Sequence, residues 1–66
     1  MKNIIKTELI IDYLKSNNLS KSKFCKLCKI SYRTLNKILL GDTNFEVIAL
    51  FRIAKMLGIQ IHTIFN

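Results

Sequence analysis

The chain has no proline, no tryptophan, only two glycines and only four acidic residues among its 66. Proline and glycine are the residues that most strongly break helices, so their scarcity leaves long segments free to be helical. No apolar run reaches the roughly 18 to 20 residues that a membrane span requires. Half of the residues are nevertheless hydrophobic, which is more than a disordered tail carries. The composition therefore predicts a compact helical domain.

The length and the first residues limit what else the chain can be. Sixty-six residues make one domain, which we expect to span residues 1–66. The start, MKNIIKTELIIDYL, is not typical of a signal peptide, because Lys6, Glu8 and Asp12 interrupt its apolar residues and no small-residue cleavage site follows. Its two cysteines are compatible with a reducing compartment. We therefore expect a cytoplasmic protein.

The charge is unevenly distributed along the chain. Eleven lysine and arginine residues face four acidic ones, for a formal net charge of +7. The segment 13–41 contains no acidic residue and holds most of the basic ones: Lys15, Lys21, Lys23, Lys26, Lys29, Arg33 and Lys37. A segment of one sign is typical of proteins that bind a polyanion, although a solvated surface is the simpler alternative.

Apolar spacing and capping residues predict five short helices, hence an all-α bundle. Ser20 and Ser31 are good N-caps for a second helix over about 20–28 and a third over about 31–40. Gly41 and Gly58 are expected to end the third and fourth helices, and Asn44 could cap the fourth. The inward residues expected along the chain are Ile5, Leu9, Ile10, Tyr13, Leu14, Phe24, Leu27, Cys28, Leu35, Ile38, Leu39, Val47, Leu50, Phe51, Ala54 and Leu57.

The closing segment, IQIHTIF, is apolar and short. It could be a fifth helix or a strand. We favour the helix, with Ile61, Ile64 and Phe65 turned inward or toward a partner, and with His62 exposed or half-buried.

Two capped helices joined by about three residues describe a helix-turn-helix. The segment NLSKSKFCKLCKISYRTLNKILLG resembles, without a gap, the DNA-binding motif of the lambda-repressor-like family, which includes Cro proteins and xenobiotic-response-element (XRE) regulators. The tail ALFRIAKMLGIQIHTIF is similar to the family's fourth and fifth helices. The positions that match the motif are Leu19, Ser20, Phe24, Ile30, Ser31, Thr34, Leu35, Ile38 and Gly41.

Cys25 and Cys28 form a CxxC pair that, taken alone, suggests a metal or redox site. A zinc site needs four ligands, or three and water, and His62 is the only other plausible soft ligand. In the register of the resemblance, the two positions are usually alanine and leucine. We therefore expect both cysteines to pack as small hydrophobic residues, and we predict no metal and no cofactor.

Some positions depart from the family pattern. Leu14 and Leu39 stand where members often have a paired arginine and glutamate, so we expect the two leucines to touch. Lys29 stands where the turn glycine is frequent. If Lys29 is left-handed, a side chain there costs about 1–2 kcal/mol. Asp42 places a negative charge in a loop that usually approaches phosphate.

The resemblance implies a recognition helix in the major groove, and the outward positions of that helix are its base-reading places. They are Tyr32, Arg33, Asn36 and Lys37. Phosphate contacts would position the module without reading sequence. The candidates for them are Lys21, Lys23, Ser31, Thr34, Thr43 and Asn44.

These expectations make the chain a small sequence-specific regulator of transcription, for which we favour the role of repressor, with double-stranded DNA as its partner. A homodimer on an inverted-repeat operator would use the C-terminal apolar segment as its seam, although simple closure of the core explains that segment equally well. The alternative is a protein-interaction module of the same fold, antitoxin-like or an accessory subunit, that does not read DNA. A membrane-surface peptide fits the lysines but not the capped apolar stripes. No catalytic set is recognisable, so we expect no enzyme and no small-molecule ligand.

Overall fold

The computed structural model describes residues 4–66, which form four α-helices and one turn of 3-10 helix. The helices are α1 (Thr7–Ser16), α2 (Lys21–Cys28), α3 (Tyr32–Leu40) and α4 (Val47–Leu57), followed by the 3-10 turn Ile61–Ile64. The prediction of an all-α bundle of five short helices is confirmed, with the fifth reduced to a single turn. No helix within residues 4–66 is both long enough and apolar enough to cross a membrane.

The helix ends follow from local chemistry. The Ser20 hydroxyl accepts a hydrogen bond from the Lys23 amide at 3.1 Å, and the Ser31 hydroxyl accepts one from the Thr34 amide at 3.0 Å. Each bond satisfies an amide that a first helical turn otherwise leaves without a partner. Gly41 and Gly58 end α3 and α4 in the left-handed conformation, as expected. Asn44 does not cap α4, because that helix begins after Glu46.

The core lies between α1, α2, α3 and α4. Its fully buried large side chains are Phe24, Ile10, Leu35, Ile38, Ile53 and Ile64. Tyr13 meets Phe24 edge to face, with ring centroids 5.9 Å apart, an arrangement that aromatic pairs favour. Leu14 is buried and Leu39 is half-buried against the same core. Their direct contact stays a prediction.

Three residues expected in the core lie outside it. Leu27, Val47 and Phe51 are 47%, 62% and 53% exposed, so these expectations are wrong. The reason in α4 is the rotation of the helix, which buries Ala49 and Ile53 beside Leu50 and Ala54, the two residues whose burial was expected. The face with the two alanines can approach its neighbours more closely than the face that carries Val47 and Phe51.

The end of the chain closes the bundle against its beginning. Ile5 and Phe65 form an isolated antiparallel bridge, the Lys6 amide donates to the Ile64 carbonyl at 2.7 Å, and the Asn66 amide donates to that of Ile4 at 2.9 Å. Ile64 is fully buried, as expected, whereas Phe65 is 38% exposed. The closing segment is therefore a helical turn followed by a single bridge residue.

Candidate nucleic-acid interface

The turn between α2 and α3 sets the geometry of the candidate interface. Lys29 ends α2 with φ 62° and ψ 43°, the left-handed conformation in which glycine is favoured. The Ile30 amide then donates to the Cys25 carbonyl at 3.1 Å, and half-buried Ile30 packs against the core. These contacts fix the angle between α2 and α3.

Arg52 holds this turn from α4. Its Nη1 donates a hydrogen bond to the Lys29 carbonyl at 2.6 Å, across 23 residues of sequence. A charged donor makes a stronger bond than a neutral one. The contact ties α4 to the turn of the helix-turn-helix. Sequence reasoning did not find it, because the acceptor is a backbone carbonyl.

The outward face of α3 carries the four predicted base-reading residues. Tyr32 and Arg33, in its first turn, are exposed, and Asn36 and Lys37 are half-buried. Tyr32, Arg33 and Asn36 make no side-chain hydrogen bond or ion pair to another residue of the described part, 4–66. Their polar groups are therefore free to bind another molecule.

Leu40 completes the same face and was not among the predicted site residues. It lies seven residues after Arg33, so the two share one side of the helix. Its side chain is 84% exposed, the highest value among the large hydrophobic residues that the structure describes as exposed. In the sequence, Leu40 falls outside the helical stripe of Leu35 and Ile38, and this spacing could have identified it as an outward residue.

Lys37 is connected to the loop that follows α3. Its Nζ donates to the Asn44 carbonyl at 3.2 Å. The Asn44 amide in turn donates to Asp42 Oδ1 at 2.8 Å, and the Asp42 amide to the Lys37 carbonyl at 2.9 Å. Asp42 thus shapes the loop that presents Thr43 and Asn44, both of which are exposed.

The hydroxyl groups of Ser31 and Thr34 form a pair at the start of α3. Ser31 Oγ donates to Thr34 Oγ1 at 2.7 Å while it accepts from the Thr34 amide. A hydroxyl group has one hydrogen. That of Ser31 is used in the bond to Thr34, whereas the Thr34 hydroxyl can still donate to another molecule. Of the two predicted phosphate contacts, Thr34 therefore has the free donor.

Lys21 and Lys23 lie in the first turn of α2, directly after the Ser20 cap. Both are exposed, and neither side chain is bonded to another residue in the range 4–66. Positive side chains beside helix amides make a site that suits an anion. The N-terminal turn of α2 can therefore hold a phosphate.

The cysteines are buried and separate from this surface. Cys25 and Cys28 are free thiols, 4% and 5% exposed. Burial raises the pKa of both thiols, and with a contribution from Cys25 it raises that of Cys28 to about 11. Cys25 Sγ donates to the Ser31 carbonyl at 3.8 Å. The expectation that the cysteines pack is confirmed. Within residues 4–66, no group of three potential ligands could hold a metal ion.

Comparison with known proteins agrees with this geometry. A family model described as helix-turn-helix matches residues 10–64, which include all four α-helices except the first three residues of α1. No curated protein and no solved structure is found to match the chain. The family match therefore rests on the sequence pattern of nearly the whole chain.

Proposed function

Because the chain belongs to the lambda-repressor-like (XRE) helix-turn-helix family of DNA-binding regulators, we propose that it is a small transcriptional repressor that reads a specific double-stranded sequence with α3. The observation that carries this proposal is the outward face of α3, where Tyr32, Arg33 and Asn36 have no bonding partner in the described chain. The proposal includes a cytoplasmic location and assigns no catalytic activity.

Each base-reading residue has a defined chemistry in the major groove. Arg33 can donate two hydrogen bonds to guanine O6 and N7, and Asn36 can pair with adenine N6 and N7. Tyr32 contacts a thymine methyl group or a phosphate. The ammonium group of Lys37 has three donors, so its bond to Asn44 leaves two for guanine or phosphate.

The phosphate contacts lie on both sides of α3. At the N-terminal ends of α2 and α3, the DNA backbone is held by Lys21, Lys23 and Thr34. Ser31 supports the Thr34 hydroxyl through their hydrogen bond. Thr43 and Asn44 hold the DNA backbone from the loop after α3. Such contacts determine affinity and register but not sequence preference.

A homodimer on an inverted repeat is part of this proposal. Two such modules would read half-sites about one helical turn apart, roughly 34 Å. The C-terminal segment supports a seam, because it borders an open groove of about 620 Å³ lined by Phe51, Ala54, Lys55, Ile59, Gln60, Ile61 and His62. Phe51 in its lining and Phe65 in the C-terminal segment are both exposed.

Selection of duplexes from a random pool tests the proposal, and it should recover a two-fold symmetric site. Arg33→Ala should then cost about 1–3 kcal/mol on that site and relax preference at one base position. Lys15→Ala is the matched control, because it removes one exposed positive charge from α1. Affinity should fall steeply with salt, with a slope of about −0.9 per neutralised phosphate. Equal loss of affinity for all duplexes in Arg33→Ala would make Arg33 a phosphate contact.

A protein-interaction module is the second candidate, and Leu40 is the observation that favours it. An exposed leucine on the outward face of α3 suits a protein surface as well as a thymine methyl group. A gel shift with random duplex DNA at low salt separates the two candidates. Absence of any binding there would favour the interaction module and overturn the DNA proposal.

A further inference from the structure

A second groove lies between the end of α2 and α4. It has a volume of about 550 Å³ and is lined by Leu27, Cys28, Lys29, Arg52, Lys55 and Met56. None of the residues assigned above to bases or phosphates lines it. It therefore offers a surface that the proposed function does not use.

Positive charge dominates this groove. Three of its six lining residues are basic, and none is acidic. Arg52 and Lys55 are three residues apart on α4, so they share one face of the helix. The bond from Arg52 Nη1 to the Lys29 carbonyl fixes the guanidinium in place and leaves its remaining N–H groups to bind an anion.

Apolar side chains lie among these charges. Leu27, on α2, is 47% exposed. Met56 is half-buried and packs against the core, and Cys28 is buried. Methionine adapts its flexible side chain to irregular partners. The groove thus combines apolar side chains with three cationic ones.

We propose that this groove binds an acidic amphipathic helix of a partner protein. A leucine-like side chain of that helix would lie between Leu27 and Met56, and its carboxylates would meet Lys29, Arg52 and Lys55. Charge complementarity selects an acidic partner. DNA is a poorer occupant, because its backbone has no apolar side chain to cover Leu27 and Met56.

A small anion is also a poorer occupant than a helix. Sites for small molecules enclose most of the ligand surface, whereas Leu27, Lys29, Arg52 and Lys55 are all exposed. A helix in a groove covers a larger surface and uses anchors at i, i+3, i+4 and i+7. Since the groove contains none of the proposed DNA contacts, the partner helix would bind while DNA is bound.

The probe for this proposal is a fluorescein-labelled peptide of about 15 residues, long enough to be partly helical, with glutamates and with leucines at i, i+3, i+4 and i+7. Fluorescence anisotropy with the intact chain measures its binding. Lys55→Glu should weaken binding at least about tenfold. Lys15→Glu, which changes the net charge equally on α1, should leave it within about twofold. Equal weakening by both variants would overturn the proposal.

Two further measurements locate the peptide. Replacing its leucines by serines should abolish binding, and the methyl resonance of Met56 should shift with the original peptide. Binding should persist when duplex DNA is present at saturation. An unchanged Met56 methyl resonance, undiminished binding of the serine peptide or displacement by DNA would each overturn the proposal. Because none of these results requires sequence-specific DNA binding, failure here is distinguishable from failure of the proposed function.

Discussion

Replacement of Lys29 by glycine should stabilise the fold, because this residue ends α2 in the left-handed conformation with φ 62°. A side chain in that conformation costs about 1–2 kcal/mol. Removing the side chain relieves this cost, but about 0.5–1 kcal/mol of the gain is lost because glycine has more conformational freedom in the unfolded chain. The midpoints of these two ranges differ by about 0.75 kcal/mol, so we expect Lys29→Gly to raise the free energy of unfolding by about that amount.

The contacts of the turn do not depend on the Lys29 side chain, which is exposed. Arg52 donates to the Lys29 carbonyl and the Ile30 amide donates to the Cys25 carbonyl, so both bonds survive the substitution. In a domain of this size, a change of 1 kcal/mol moves the melting temperature by about 4–8 °C. The expected increase in melting temperature is therefore about 3–6 °C.

Urea denaturation followed by circular dichroism measures this effect, and two variants control it. Lys29→Ala removes the same charge but keeps a side chain in the left-handed region, so it should show no comparable gain. Lys26→Gly makes the same exchange within α2 and should lose about 1 kcal/mol. If Lys29→Gly is no more stable than Lys29→Ala, the left-handed conformation of Lys29 does not cost about 1–2 kcal/mol.

Three further predictions concern charge and the cysteines. Asp42→Asn keeps an acceptor for the Asn44 amide but removes a negative charge. In a low-salt gel shift, this variant should therefore bind DNA up to about fivefold more tightly. An equal gain in affinity in the control variant Asp12→Asn would exclude a local effect of Asp42. The double variant Cys25→Ala, Cys28→Ala should keep specific DNA binding, and its free energy of unfolding in urea denaturation should be lower by about 1 kcal/mol. Loss of binding in a folded double variant would indicate that the cysteines have a role beyond packing. Burial raises the pKa of Cys28 from 9.0 to about 11. The unfolded chain therefore loses the Cys28 proton at a lower pH than the folded chain, so the free energy of unfolding should fall as the pH rises from about 9 to about 11. A Cys28→Ala variant with the same pH dependence would contradict this.

The helix ends at Ser20, Ser31, Gly41 and Gly58 were predictable because their causes are local. Ser20 and Ser31 cap α2 and α3 through hydroxyl bonds to amides three residues away. Gly41 and Gly58 end α3 and α4 because only glycine adopts a left-handed conformation without cost. A residue type at a given spacing is enough to produce each of these features.

The rotation of α4 was not predictable from periodicity. In VIALFRIAKML, only Arg52 and Lys55 are charged, so apolar residues occur on every side of the helix. The pattern correctly predicted the burial of Leu50 and Ala54, but it did not separate their face from that of Val47 and Phe51, so packing decides the rest. Ala49 and Ala54 lie on the buried face, whereas the larger Val47 and Phe51 remain exposed.

The outward face of α3 was easier to predict than the loop that follows it. Leu35 and Ile38 are both buried, which places Arg33, Asn36 and Lys37 on other sides of the helix. The bond from Lys37 to the Asn44 carbonyl depends instead on the path of the loop. Backbone acceptors of this kind leave no residue-specific mark in a sequence.

Two hydrogen bonds connect the parts of the candidate interface. Arg52 connects α4 to the turn before α3, and Lys37 connects α3 to the loop after it. In both cases a basic side chain donates to a backbone carbonyl, so the positive charge needed for binding an anion also holds the structure. Part of the net charge of +7 therefore also stabilises the structure. Arg33, Lys21 and Lys23 make no such bonds, so we expect their replacement by alanine to weaken DNA binding without affecting the fold.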